Sequence, residues 1–153
     1  MFDNGKKRFS YSIIGLCSIL LILSWKPSTT EESWQWIQRC LLQSFNHYAN
    51  SDLKKWDLSV TPDGFFRLRK YFPSGKQEYF SFHFKRLRKI EYSGSPDSGS
   101  IVFKTMSDDV IVQTYNDPKG NIDSMSTLLE FPVLKMETPR LDSLQNALFE
   151  FKY

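Results

Sequence analysis

The chain of 153 residues holds only two cysteines and two histidines. Cys40 has Cys17 as its sole conceivable bridge partner, and none once a leader carrying Cys17 is removed, so no disulfide framework is expected. Cys40 reads instead as a small buried apolar residue. His47 and His83 lack the His-x-x-x-His spacing of a metal site. Both read as structural or solvent-exposed, and neither a metal nor a cofactor is expected. The seven glycines build neither a G-x-S-x-G elbow nor a phosphate-cradling loop, because "PSGK" lacks the rest of a Walker pattern. Internal repeats and low-complexity tracts are missing. The longest uncharged run, Phe9 to Trp25, falls short of the about 20 residues of a comfortable membrane span.

Aromatic side chains are abundant: 16% of residues, with thirteen Phe, beside 41% hydrophobic and 24% charged residues. That composition and length suit one globular domain with a well-filled core.

Lys6, Lys7 and Arg8 precede the uncharged run, and Lys26-Pro27 ends it. A basic patch before a short apolar stretch is the pattern of a secretory signal peptide. Residues 1–28 are therefore expected to be a signal peptide or, failing cleavage, a single N-terminal membrane anchor. Ser10, Ser12, Ser18 and Ser24 weaken the anchor reading. The charge before the run leaves residues 29–153 outside the cytoplasm, whether secreted, periplasmic or membrane-anchored. Cys17 follows Leu16 inside a continuing apolar run, which argues against lipid modification.

Thr29 and Glu32 match a capping box, and Trp34, Ile37, Leu41, Phe45 and Tyr48 recur on one face of a helix. "NHYANSD" ends it. Beyond Trp56, turn signals recur at "TPDG" 61–64, "FPSGK" 72–76, "SPDSG" 95–99 and "DPKG" 117–120. Proline presets the first turn dihedral and glycine accepts the positive φ that follows. Aromatic and β-branched runs between such turns predict consecutive antiparallel strands. Strand parity sends Phe66, Leu68 and Phe72 one way and Arg67, Arg69 and Tyr71 the other. It likewise separates Phe80, Phe82 and Phe84 from Tyr79, Ser81, His83 and Lys85. A turn at 107–109 separates "IVFKTM" from "DVIVQTY", and "NIDSMSTLLEFPV" reads as one further strand. "TPRLDSLQNALFEF" predicts a closing helix capped by Thr138, with Pro139 at its first position and Leu141, Leu144, Leu148 and Phe151 as its stripe.

The order helix, five to seven antiparallel strands, helix predicts an α+β domain: a curved sheet with an N-terminal and a C-terminal amphipathic helix. Strands followed by a C-terminal helix also resemble the pleckstrin-homology-type barrel on element count. That resemblance implies a closed sheet and carries no function.

The oxygen-rich stretch "YNDPKGNID", 115–123, has the look of a cation loop. With Gly120 in the sixth position of an EF-hand, Tyr115 and Lys119 fall on ligand positions and Ser126 replaces the bidentate Glu. The loop is expected to be a turn with Asp117 at its first corner. A looser cation site of Asn116, Asp117, Asn121 and Asp123 is the alternative.

Charge is uneven. Residues 54–104 carry eleven Lys or Arg against five acids, whereas 105–153 carry four against eight. Both aromatic strands show a basic outer side, and "KRLRK", 85–89, is the densest basic run. Two function classes follow. The first is a non-catalytic interaction module that uses Arg67, Arg69, His83, Lys85 and Arg88 to meet an anionic envelope component or a protein. Nucleic acid is not expected, since an exported protein rarely meets it. The second is a small hydrolase or transferase using Asp108, Asp109, Asp117 and Asp123. The module is the preferred expectation, so no enzymatic activity is expected.

Overall fold

The computed structural model describes residues 30–49 and 52–151. The leader, Cys17 and the expected capping residue Thr29 lie outside these, and with them the expectations placed there. Among the described residues, no helix is long and apolar enough to cross a membrane.

The fold is α+β. Helix α1 (Thr30–Ser44) is followed by β1 (Lys55–Val60), β2 (Phe65–Tyr71), β3 (Gln77–His83), β4 (Leu87–Gly94), β5 (Ser98–Thr105), β6 (Val110–Tyr115), β7 (Asp123–Ser126) and β8 (Leu128–Leu134), and α2 (Thr138–Glu150) closes the chain. The eight strands form two antiparallel sheets, ordered β1-β2-β3-β6-β7 and β4-β5-β8. Neither closes on itself, so the pleckstrin-homology-type barrel does not describe the chain. The single sheet of five to seven strands is also corrected. The stretch read as one last strand divides at Thr127: β7 pairs with β6, whereas β8 crosses to pair with β5.

The two sheets meet through phenylalanines. Phe66 and Phe82 of the larger sheet lie 6.1 and 5.5 Å from Phe103 of the smaller one, and Phe66 lies 6.0 Å from Phe131. Each buried ring contributes about 1.5–3 kcal/mol by leaving water. The helices join the same core. Phe45, just after α1, packs 5.1 Å from Phe131, and Phe151, at the end of α2, packs 5.7 Å from Phe84. Ile37, Cys40 and Leu41 of α1 and Leu144 and Leu148 of α2 are buried there as well.

Several local expectations shift. Tyr48 is 76% exposed, because α1 ends at Ser44 and a 3₁₀ turn at His47–Ala49 breaks the helical period. Phe72 opens a turn, accepting a bond from Gly75 N–H (3.0 Å). Its place on the inner face of β2 falls to Lys70, which is buried with its ammonium 5.3 Å from the Phe80 ring. Phe84 is buried as expected, but in a 3₁₀ turn (Phe84–Arg86) that carries the chain from β3 to β4. Leu141 N–H bonds to Glu137 C=O (3.0 Å), which starts α2 one residue early. Glu137 therefore holds the cap position, without a side-chain bond, and Thr138 falls inside the helix.

Candidate functional site

Register defines the outward side of the larger sheet. Residues on antiparallel neighbours that face each other share a side. Arg69 stands between Asp57 and Tyr79, and Gln113 and Asp123 continue that row. The next row runs Ser59, Arg67, Ser81, Ile111, Met125, and Phe65 faces His83 beyond it. Helices and the smaller sheet pack on the opposite side, so this one stays open except at Ser81, which is buried beneath its neighbours.

Aromatic rings hold the arginines flat. The Arg67 guanidinium lies 4.9 Å from the Phe65 ring centre and that of Arg69 lies 5.3 Å from Tyr79. Such contacts are worth about 0.5–1 kcal/mol at exposed sites; Arg69 also donates to Tyr71, and the remaining guanidinium N–H groups are available to a partner. A shallow depression of about 140 Å³ lies over Asp57, Ser59, Arg67, Arg69, Tyr71 and Tyr79. Beside it, Tyr115 donates its hydroxyl to Gln113 Oε1 (3.0 Å), and Gln113 Nε2 donates to Asp123 (3.1 Å).

His83 ends β3. Its Nδ1 accepts from Lys85 N–H (3.0 Å), capping the 3₁₀ turn. Partial burial, helped by the Lys85 charge and opposed by Asp63, pushes its pKa down, so the neutral ring is favoured. Lys85 lies in the turn, and Arg88 lies on β4 in the other sheet, at a bulge between Leu87 and Lys89. The structure thus gathers Arg67, Arg69 and His83 on one surface and sets Arg88 apart.

Ion pairing sorts the cations further. Lys76 bonds Glu78 and Asp117 (3.0 and 2.9 Å), Arg86 bonds Asp109 (2.9 Å), and Lys89 and Lys104 share Glu91 (2.9 and 2.7 Å). The two lysines hold the Glu91 pKa down at about 2. Among the described residues, Arg67, Arg69, Lys85 and Arg88 have no carboxylate within 4.0 Å. Sequence reasoning missed this distinction inside "KRLRK": the fold brings Asp109 to Arg86, whereas Glu91 stands two residues from Lys89 on the same strand and was legible as its partner.

The acidic candidates do not converge. Asp108 and Asp109 precede β6 and Asp117 follows it. A strand of that length spans about 20 Å. Asp109 also caps its own turn through Ser107 N–H (3.1 Å). The 115–123 loop is a turn: Gly120 N–H donates to Asp117 C=O (2.9 Å), and Asp117 Oδ1 accepts from Lys119 N–H (2.9 Å). Asn121 Oδ1 accepts from Asp117 N–H (3.1 Å). The oxygens offered for a cation are thus largely engaged by donors. No group of three His, Cys, Asp or Glu among the described residues is arranged to hold a metal ion. Among the described residues, a groove of about 720 Å³ between α1 and α2 is lined by one carboxylate, Glu150, which accepts from Ser33 (3.0 Å).

Compared with protein-family models, curated proteins and solved structures, the chain matches none.

Proposed function

We propose that the protein is a non-catalytic interaction module, held outside the cytoplasm, whose open sheet face contacts an anionic or protein partner at the cell envelope. The observation that carries this reading is the state of Arg67 and Arg69. Both are exposed, stacked on rings and without a carboxylate partner among the described residues. Arginine and tyrosine are the residues that anchor protein interfaces, because they bring large contact area and several donors at small ordering cost. Phe65, Tyr71, Tyr79 and Tyr115 surround them. His83 flanks the arginines, and Lys85 and Arg88 extend the positive potential toward the second sheet. The expectation of an exported body, with a cleaved or anchoring leader, is part of the proposal.

The test is a crosslinking pull-down of the tagged chain from native envelope material, with the N-terminus of the recovered protein sequenced. Retention should fall in the Arg67→Ala/Arg69→Ala variant, and wild-type retention should weaken as salt rises. Arg88→Ala should have the smaller effect. Unchanged retention in the double variant refutes the surface. An intact N-terminus on a protein recovered from the cytoplasm refutes the location.

A further inference from the structure

Among the described residues the two sheets have four outer edges, and three are protected. At β1, Val60 N–H donates to Gln38 of α1 (2.9 Å), and α1 packs along the strand. At β8, Pro132 has no N–H to offer, its C=O accepts from Asn46 N–H (2.9 Å), and Phe45 bridges to Val133. β4 is bulged at Arg88 and itself carries Arg88 and Lys89 of the basic run. Bulges, charge and proline are the devices that keep sheet edges from pairing. β7, "DSMS", has no proline, bulge or cation, and only its shortness and the single carboxylate of Asp123, which accepts from Gln113 (3.1 Å), blunt it. Met125 on the strand and Ile122 and Leu128 beside it are 58%, 50% and 45% exposed.

Backbone direction is set by the neighbouring ladder. Thr114 N–H donates to Ile122 C=O (2.8 Å), and the register continues through Gln113–Asp123, Val112–Ser124, Ile111–Met125 and Val110–Ser126. Opposed residues in an antiparallel pair alternate between exchanging bonds and not. Ser124 and Ser126 therefore bond to β6, and Asp123 and Met125 aim N–H and C=O away from the sheet.

We propose that this edge pairs with the same edge of a second copy of the chain, antiparallel about a two-fold axis at Ser124. The sequence is self-complementary in that register. Asp123 of each copy faces Met125 of the other, and both pairs exchange backbone bonds. No carboxylate is set directly opposite another. Ser124 faces Ser124, small enough for the close non-bonded pair, and Ile122 covers Ser126. A perpendicular two-fold keeps the outward faces on one side, so two five-stranded sheets join into one. The pairing rests on the edge alone and stands or falls independently of what the arginine face contacts.

The test uses the full chain, purified in mild detergent, with Ser124→Cys and copper–phenanthroline as oxidant. In this register the two Cα atoms would be about 4.5 Å apart, within disulfide reach. Ser59→Cys, exposed on the opposite edge strand, is the control, and the unsubstituted chain gives the background from Cys17 and Cys40. Non-reducing gels should show several-fold more crosslinked dimer for Ser124→Cys than for either. Adding Met125→Glu, at a position 58% exposed, sets a carboxylate opposite Asp123 of the other copy and should return the crosslink to background. Dimer no stronger than the control, or insensitivity to Met125→Glu, overturns the pairing. So does a Ser124→Cys chain that crosslinks to a different polypeptide and not to itself.

Discussion

Gly64→Ala measures how firmly α2 is seated on the sheets. Gly64 closes the β1–β2 turn with φ of 87° and donates its N–H to Thr61 C=O (2.8 Å). Its own C=O accepts from Phe84 N–H (2.9 Å). A Cβ added there would fall 2.6 Å from Cδ1 of Phe151, a ring that is only 5% exposed and packs against Phe84. Two penalties add. The left-handed backbone costs an alanine about 1–2 kcal/mol, and displacing a packed ring costs about 1–3 kcal/mol. Gly75 isolates the first, having φ of 86° and nothing within 4 Å of its added Cβ. Urea unfolding followed by tryptophan fluorescence should place Gly64→Ala about 1–3 kcal/mol below Gly75→Ala. With m-values of about 1–3 kcal/mol per molar urea, the midpoints should differ by roughly 1 M. Phe151→Ala is itself expected to cost about 3 kcal/mol. In that background the ring is gone, and Gly64→Ala should cost no more than Gly75→Ala. Equal effects of the two glycine substitutions in the wild-type background would show that the last turn of α2 does not pack as described.

Two pH dependences follow from depressed pKa values. His83 is held below its unfolded value of about 6.5 by burial and the Lys85 charge. Its contribution to stability is complete above that pH and is lost as pH falls toward the folded pKa. Asn at position 83 can accept from Lys85 N–H but cannot titrate, so His83→Asn should flatten denaturation midpoints measured from pH 7.5 to 5; a persistent slope assigns the effect elsewhere. Lys70 is lowered by burial, with Glu78 opposing. Stability should therefore rise as pH climbs from its folded pKa toward about 10.5. Lys70→Met should remove that rise between pH 8 and 10, and an unchanged profile would mean the ammonium stays hydrated.

Much of the architecture was legible because it depends on local rules. Alternation along β2 and β3 placed Phe66, Leu68 and Phe82 inside and Arg67 and Arg69 outside, and these positions hold. The four proline–glycine stretches all turn the chain, with Gly64, Gly75 and Gly120 at positive φ. Lys70 follows the same parity as Phe66 and Leu68. It was passed over because a lysine looks like surface, although a long stem lets it sit on an inner face beside Phe80.

The sequence by itself determined the turns, the strand phases, the two helices and the surplus of exposed arginine, since each is set by a few neighbouring residues and the geometry of one strand or helix. Only tertiary structure decided that the strands divide into two sheets at Thr127, that Asp109 meets Arg86 and Lys104 joins Lys89 at Glu91 while Arg67 and Arg69 stay without a carboxylate among the described residues, and that β7 is the least guarded edge among them. Those outcomes depend on which distant segments meet, and the free energy of such a meeting is shared among residues that no local pattern connects.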